Sequence, residues 1–193
     1  MFQQNIGKVY YEEAFYHERM TYFLDFFLFQ RPVESQDSGD SSPSLTPYLY
    51  FLQSEYCEGK ILPNLVIEQL HSLQFFKHSV FEVCKIRPEK MIVKDLFDEK
   101  KIEIKPQHLS GFQGFFKGDI LQGFVFPIGS LAYLSKGIIV HPKEVASPIK
   151  GNIKKLKKSG EFHDFSFLAK IAKYNASYLR HRQISPKKVY QLT

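Results

Sequence analysis

The chain has no tryptophan and only two cysteines, Cys57 and Cys84, in 193 residues. Two thiols in a chain of this length do not make a disulfide framework. Both sit in apolar segments and read as buried free thiols. No Cys-x-x-Cys occurs, and the seven histidines contain no His-x-His or His-x-x-x-His pair, so no metal face forms locally. A Gly-x-Ser-x-Gly nucleophile elbow is missing, and no Gly-Lys-Ser/Thr completes a phosphate loop. Long apolar runs are missing too. The longest, Tyr22–Leu24 and Phe26–Phe29, are split by Asp25 and fall far short of a membrane span. The first residues lack the charged start and apolar stretch of a signal peptide. Together these absences point to a reduced, cytoplasmic protein without a cofactor.

What is present is a rich supply of core material. The hydrophobic fraction is 44%, and 19 Phe and 11 Tyr bring the aromatics to 16%, so the core should be packed largely with phenylalanine. The length suits a single domain over 1–193. Charge is divided unevenly. From Lys150 onward eleven Lys and Arg stand against two acids, a net +9, whereas 1–149 holds fifteen bases and eighteen acids, a net −3. A mildly acidic body therefore carries a basic C-terminal region.

Periodicity divides the chain into an N-terminal helical part (1–78), a β core (79–143) and a basic helical region (144–193). Val9 to Phe29 reads as a helix, with Val9, Tyr16, Met20, Phe23 and Phe27 at three- and four-residue steps, ended by Arg31-Pro32. Its burial should deepen toward its C-terminal end. Glu34 to Ser44 holds five serines, two aspartates, a glycine and a proline, and reads as a flexible loop over 34–45, either a plain connector or a phosphorylation or docking segment. Thr46-Pro47 caps and starts a second helix running to about Glu58, and Gly59 stops it. Pro63 and Asn64 open a third, with Leu65, Leu70, Leu73 and Phe76 as core contacts.

The β core is a run of short strands. Phe81 and Val83 share one face of the first, and Met91 to Leu96, apolar on both sides at its start, suits a central strand. Lys101 to Lys105 alternates, with Ile102 and Ile104 facing inward. Gly118-Asp119 turns into Ile120–Phe126, and Leu131–Leu134 with Ile138–Val140 reads as a last hairpin. The expected fold is therefore α+β: a small antiparallel sheet or barrel flanked by N-terminal and C-terminal helices. After it, Ser147-Pro148 opens a basic helix to about Lys158. Phe162 to Arg182 forms another, with Phe165, Leu168, Ile171, Ala172 and Leu179 near one face. Ser185-Pro186 starts a short terminal turn.

Some of these segments carry a resemblance. Asp25-Phe-Phe-Leu-Phe-Gln-Arg-Pro32 resembles a helix-ending motif in a set of uncharacterised bacterial proteins. Val80-Phe-Glu-Val83, Val93-Lys-Asp-Leu-Phe97 and Gly118-Asp-Ile-Leu-Gln-Gly-Phe-Val-Phe-Pro127 resemble strand motifs of the same set. The resemblance covers roughly 20–143 and implies no activity. Some members of the set carry a C-terminal zinc motif like that ending the SecA translocase, but the C-terminal region of this chain contains no cysteine.

Three places could carry function. Phe112, Phe115 and Phe116 lie between Gly111 and Gly118. Aromatics exposed there would suit a protein hot spot, and the alternative is that all three are core. Lys150, Lys154, Lys157 and Lys158 share one side of the basic helix. Arg180, Arg182, Lys187 and Lys188 form a second cluster, near which Tyr174 and Tyr178 could stack on bases. Asp95, Glu103 and Lys105 resemble a metal-dependent nuclease pattern, although any amphipathic strand also places Glu103 and Lys105 on one face. The expected function is a non-catalytic binding module, a protein-interaction or adaptor protein of the bacterial cytoplasm. Nucleic-acid binding through the basic region is the alternative and a nuclease the remote one.

Overall fold

The computed structural model describes residues 8–32, 45–54, 63–108, 110–160 and 165–192. Three helices come first: α1 (Tyr16–Phe29), α2 (Pro47–Leu52) and α3 (Asn64–Leu73). Six strands follow: β1 (Lys77–Arg87), β2 (Lys90–Asp95), β3 (Lys101–Ile104), β4 (Ile120–Ile128), β5 (Leu131–Leu134) and β6 (Ile139–His141). A 3-10 turn (Lys143–Val145) leads into α4 (Ala146–Ser159), α5 (Phe165–Arg180) and α6 (Pro186–Tyr190). The architecture is the expected α+β arrangement, with five strands closed into a barrel and helices at both ends of the chain flanking it.

Closure follows from the length of β1. Its second half pairs antiparallel with β2, and its first half pairs antiparallel with β4. A bulge between Val83 and Lys85 bends the strand between these two duties. The remaining pairings are β2–β3, a short parallel contact between β3 and β5, and β5–β4, so the ring runs β1-β2-β3-β5-β4 and returns to β1. β6 lies outside the ring, paired with the start of β4. Alternation then sorts the side chains. Phe81, Val83, Met91, Val93, Ile104, Leu121, Val125 and Leu134 fill the barrel. Val80 and Ile120 point outward and meet Ile149 and Ile153 of α4, Leu168 and Ile171 of α5 and Tyr190 of α6. Tyr22 of α1 packs with Phe124, Ile139, Ala169 and Ala172.

Several expectations are corrected. The first helix begins at Tyr16 rather than Val9, and its fully buried residues, Arg19 and Tyr22, lie in its middle. The second ends at Leu52 after the expected cap, in which Thr46 Oγ1 accepts the Leu49 N–H at 3.3 Å. The expected stop at Gly59 lies outside the described residues, as do the loop 34–44, Cys57 and the start of the fifth helix at Phe162. Met91 to Leu96 does supply a central strand, β2, paired with β1 and β3, with Ile92 and Lys94 half-buried; the strand buried on both faces is β4, from Ile120 to Val125. β5 and β6 do not form a hairpin. Both pair with β4, because the turn between them carries β6 along the same strand edge. Leu65 is two-thirds exposed, and Cys84, at the bulge, is half-buried.

Two close approaches hold the layers in register. At Gly137, between β5 and β6, α1 comes so near that an added Cβ would lie 2.7 Å from Tyr22 Cα. On the outer edge of β6, Asn175 of α5 donates its side-chain N–H to the Val140 carbonyl at 3.0 Å.

Candidate functional site

The aromatic loop divides. Phe112 and Phe115 are half-buried against the side chains filling the barrel, so they plug its end. Phe116 is 61% exposed, with the Lys143 ammonium 5.1 Å from its ring centre. The loop is shaped by Asp119, whose carboxylate accepts the Phe116 N–H at 2.7 Å, and by positive φ at Gly111, Gly114 and Gly118. Of the three expected contact residues, only Phe116 is well exposed.

The basic helix α4 lies beside the outer face of β1 and β2. A cleft of about 490 Å³ runs between them, lined by Lys94 and Glu82 from the strands, Glu99 from the following turn, and Lys150, Lys154, Lys157 and Lys158 from the helix. Lys150 pairs with Glu82 at 2.8 Å, and Lys157 and Lys94 both reach Glu99. Two carboxylates thus serve three of the five lysines. Lys154 and Lys158 are exposed and meet no carboxylate among the described residues. The second cluster is less uniform. Arg180 pairs with Glu13, which lowers the pKa of that carboxyl, and it also donates to the Lys8 carbonyl. Arg182, Lys187 and Lys188 are exposed, whereas Tyr174 and Tyr178 pack half-buried against the core under α4, which leaves only part of each ring for stacking.

The nuclease pattern is not assembled. Asp95 is fully buried, accepting the Ser79 hydroxyl and the Phe97 N–H at 2.8 Å, with Lys77 at 3.1 Å. Glu103 stands on the exposed face of β3 between Lys90 and Lys105. Asp95 shares its inward face with Met91 and Val93, whereas Glu103 sits opposite the half-buried Ile92, so the two carboxylates lie on opposite faces of the sheet. Among the described residues no group of three His, Cys, Asp or Glu could hold a metal ion.

A buried polar chain, with no counterpart in any local motif, joins α1, the barrel and α6. His78 Nδ1 donates to Gln30 Oε1 at 2.6 Å, and its Nε2 accepts the Tyr22 hydroxyl at 2.8 Å. Gln122 on β4 donates to the Tyr22 oxygen at 2.9 Å and to the Leu168 carbonyl at 2.8 Å. Its own oxygen accepts from His141 Nε2 at 3.1 Å, and His141 Nδ1 accepts the Tyr190 hydroxyl at 2.8 Å. These proton positions are assigned from the hydrogen-bond network. Burial, with the Arg19 charge nearby, holds the His141 pKa down at about 3. Burial raises the Tyr22 and Tyr190 hydroxyls well above their ordinary range. Arg19 is itself buried. It donates to Asn175 Oδ1, and burial lowers its pKa to about 10. These partners lie between 19 and 156 residues apart, so local spacing carries no trace of them.

A further feature sits on the N-terminal helices. Leu24 and Leu28 of α1, Tyr50 and Phe51 of α2, Leu65 and Val66 of α3, and Phe75 just beyond it are all exposed. Beside them Asp25 lines an aromatic-walled pocket. No family model matches this chain, and no curated protein or solved structure is similar to it.

Proposed function

We propose that the chain is a non-catalytic binding module of the bacterial cytoplasm that docks a protein partner through the outer face of α1, α2 and α3. The observation that carries this is α3. Five of its ten residues are large aliphatics, yet none of its side chains is fully buried, and Leu65 at its start is 66% exposed. A ten-residue helix has little stability of its own in water and normally earns its place by burying an apolar face. Here part of that face is left to solvent, together with Phe75 at 72% and Tyr50 at 71% exposure. Exposed apolar groups gathered on one part of a surface mark interaction sites. Phe116 is a separate aromatic contact that remains available to a partner.

The double substitution Leu65→Glu with Phe75→Glu is expected to abolish co-purification of a partner from native extract. Both positions are exposed, so the melting temperature should stay within a few degrees of wild type. A partner retained by the double variant would overturn the reading.

The lysine cleft favours a second reading, nucleic-acid binding. Closed five-stranded barrels are among the architectures that bind single-stranded nucleic acids, although a fold alone does not assign a function. Within the cleft, Lys154 and Lys158 are the charges left for phosphates. In a gel-shift titration with mixed single-stranded DNA and RNA at about 50 mM salt, where counterion release is strong, a shift lost on Lys154→Glu with Lys158→Glu is expected. No shift under those conditions removes this reading.

A further inference from the structure

The pocket beside Asp25 has a volume of about 360 Å³ and lies between α1, α3 and the β4–β5 end of the barrel. Its walls are Phe29 from α1, Leu73 from α3, Gln107 just after β3, whose amide donates to the Leu134 carbonyl, and Phe126, Ile128 and Tyr133 from β4 and β5. Phe29 and Phe126 have ring centres 4.8 Å apart. One charged group lines this apolar space, the Asp25 carboxylate. One of its oxygens accepts the Ser135 hydroxyl, and Ser135 Oγ is held in turn by the Gly137 N–H at 2.9 Å. No Lys, Arg or His among the described residues pairs with Asp25. Burial without a cation raises its pKa to about 6, so near neutral pH the carboxylate is ionised but poorly compensated.

We infer that this pocket receives a lysine side chain of the docked protein partner, its ammonium on the open oxygen of Asp25 and its stem against Phe29, Phe126 and Tyr133. Charge complementarity sets the sign of the ligand, because an uncompensated carboxylate in an apolar recess favours a cation. Aromatic walls favour a cation as well. Lysine fits better than arginine: with Ser135 already engaging one oxygen, the open oxygen offers a single point of contact, which is what an ammonium needs, whereas a guanidinium fork is best matched to a carboxylate with both oxygens free. The inference rests on the reading of the N-terminal helices as a docking face, since α1 and α3 supply part of the pocket wall as well as several of the exposed apolar side chains.

The test is an NMR titration of the whole isotope-labelled chain with the peptide acetyl-Gly-Leu-Lys-Leu-Gly-amide, repeated with norleucine in place of lysine and with n-butylammonium. Shifts centred on Asp25, Phe29, Leu73 and Tyr133 are expected with the lysine peptide. Binding should weaken at least about tenfold with norleucine, and likewise on Asp25→Asn, since the peptide would lose a charge-assisted contact. Asn keeps an acceptor for Ser135, so that variant should fold. Equal binding of the norleucine peptide, or no saturable shift, would overturn the inference. Equal binding of butylammonium would overturn it too, by making the pocket a free-amine site. Co-purification with Asp25→Asn separates the two readings. A partner released by the Leu65/Phe75 double variant but not by Asp25→Asn overturns only the lysine inference. A partner released by neither overturns the docking face.

Discussion

Acidification is expected to lower the stability of this protein progressively from about pH 6.5, with His141 as the main cause. In the unfolded chain an imidazole titrates near its ordinary value of about 6.5, whereas in the fold it is held at about 3. Below pH 6.5 the unfolded chain therefore binds a proton that the folded chain refuses. Stability is complete above that pH and falls by about 1.4 kcal/mol per unit until the folded pKa is reached. Over the whole window the loss is about 4 to 5 kcal/mol, comparable to the total stability of a small domain. Asp25 works in the opposite direction. Its folded pKa is raised to about 6 from 3.8, so the folded carboxyl protonates first and recovers some stability between those values. That carboxyl is only half-buried, so solvent screening reduces the offset. Urea unfolding from pH 7.5 to 3.5 should show the decline. His141→Gln should flatten it while lowering stability at pH 7 by about 1 to 3 kcal/mol, because either Tyr190 or Gln122 loses a buried partner. Asp25→Asn should steepen it between pH 6 and 4. Identical slopes for wild type and His141→Gln would show that another group governs acid unfolding.

The second large effect is steric. Gly137→Ala places a methyl group 2.7 Å from Tyr22 Cα, 3.0 Å from the Thr21 carbonyl carbon and nearer still to the Tyr22 nitrogen. These are backbone atoms within a helix, so no side chain can swing aside. Overpacking in a core usually costs about 1 to 3 kcal/mol, and a rigid contact such as this belongs at or above the upper end. For α1 to move away, Tyr22 must leave His78 and Gln122, and Asp25 must leave Ser135. The expected outcome is a drop in melting temperature of roughly 10 °C or more, with proteolysis appearing first at α1. A variant that melts within a degree or two of wild type would mean that α1 is seated more loosely than this contact implies.

The fold was legible in the sequence wherever periodicity was local. Ile102 and Ile104 on β3, the Thr46-Pro47 cap, and the Gly118-Asp119 turn into β4 all follow from residues that are neighbours in the chain. The misreadings concern partners that no local pattern reveals. Met91 to Leu96 is the central strand that its apolar start suggests, but that Ile120 to Val125 is the run covered on both faces follows only from the closed ring and the helices against it. Leu131–Leu134 and Ile139–His141 have the spacing of a hairpin, yet β4 takes both. Asp95 was a reasonable metal ligand until register placed it inside, opposite the face that carries Glu103. The candidate sites behaved in the same way. The clustered lysines of α4 could be read directly, whereas the Asp25 pocket draws on five separate segments. Asp25 itself showed only as an interruption in an apolar run, and that interruption was the one available signal of a buried acid.

The side-chain amide of Asn175 on the Val140 carbonyl has a consequence for how this protein keeps to itself at high concentration. A closed ring of strands offers neighbours no row of unpaired backbone groups, but β6 lies outside the ring and presents such a row. It is only three residues long, and one of its carbonyls is already taken by α5, which lies along it. Another molecule trying to add a strand there would first have to displace that helix. The same residue that holds the Arg19 guanidinium on its other side therefore also guards the molecule against edge-to-edge aggregation.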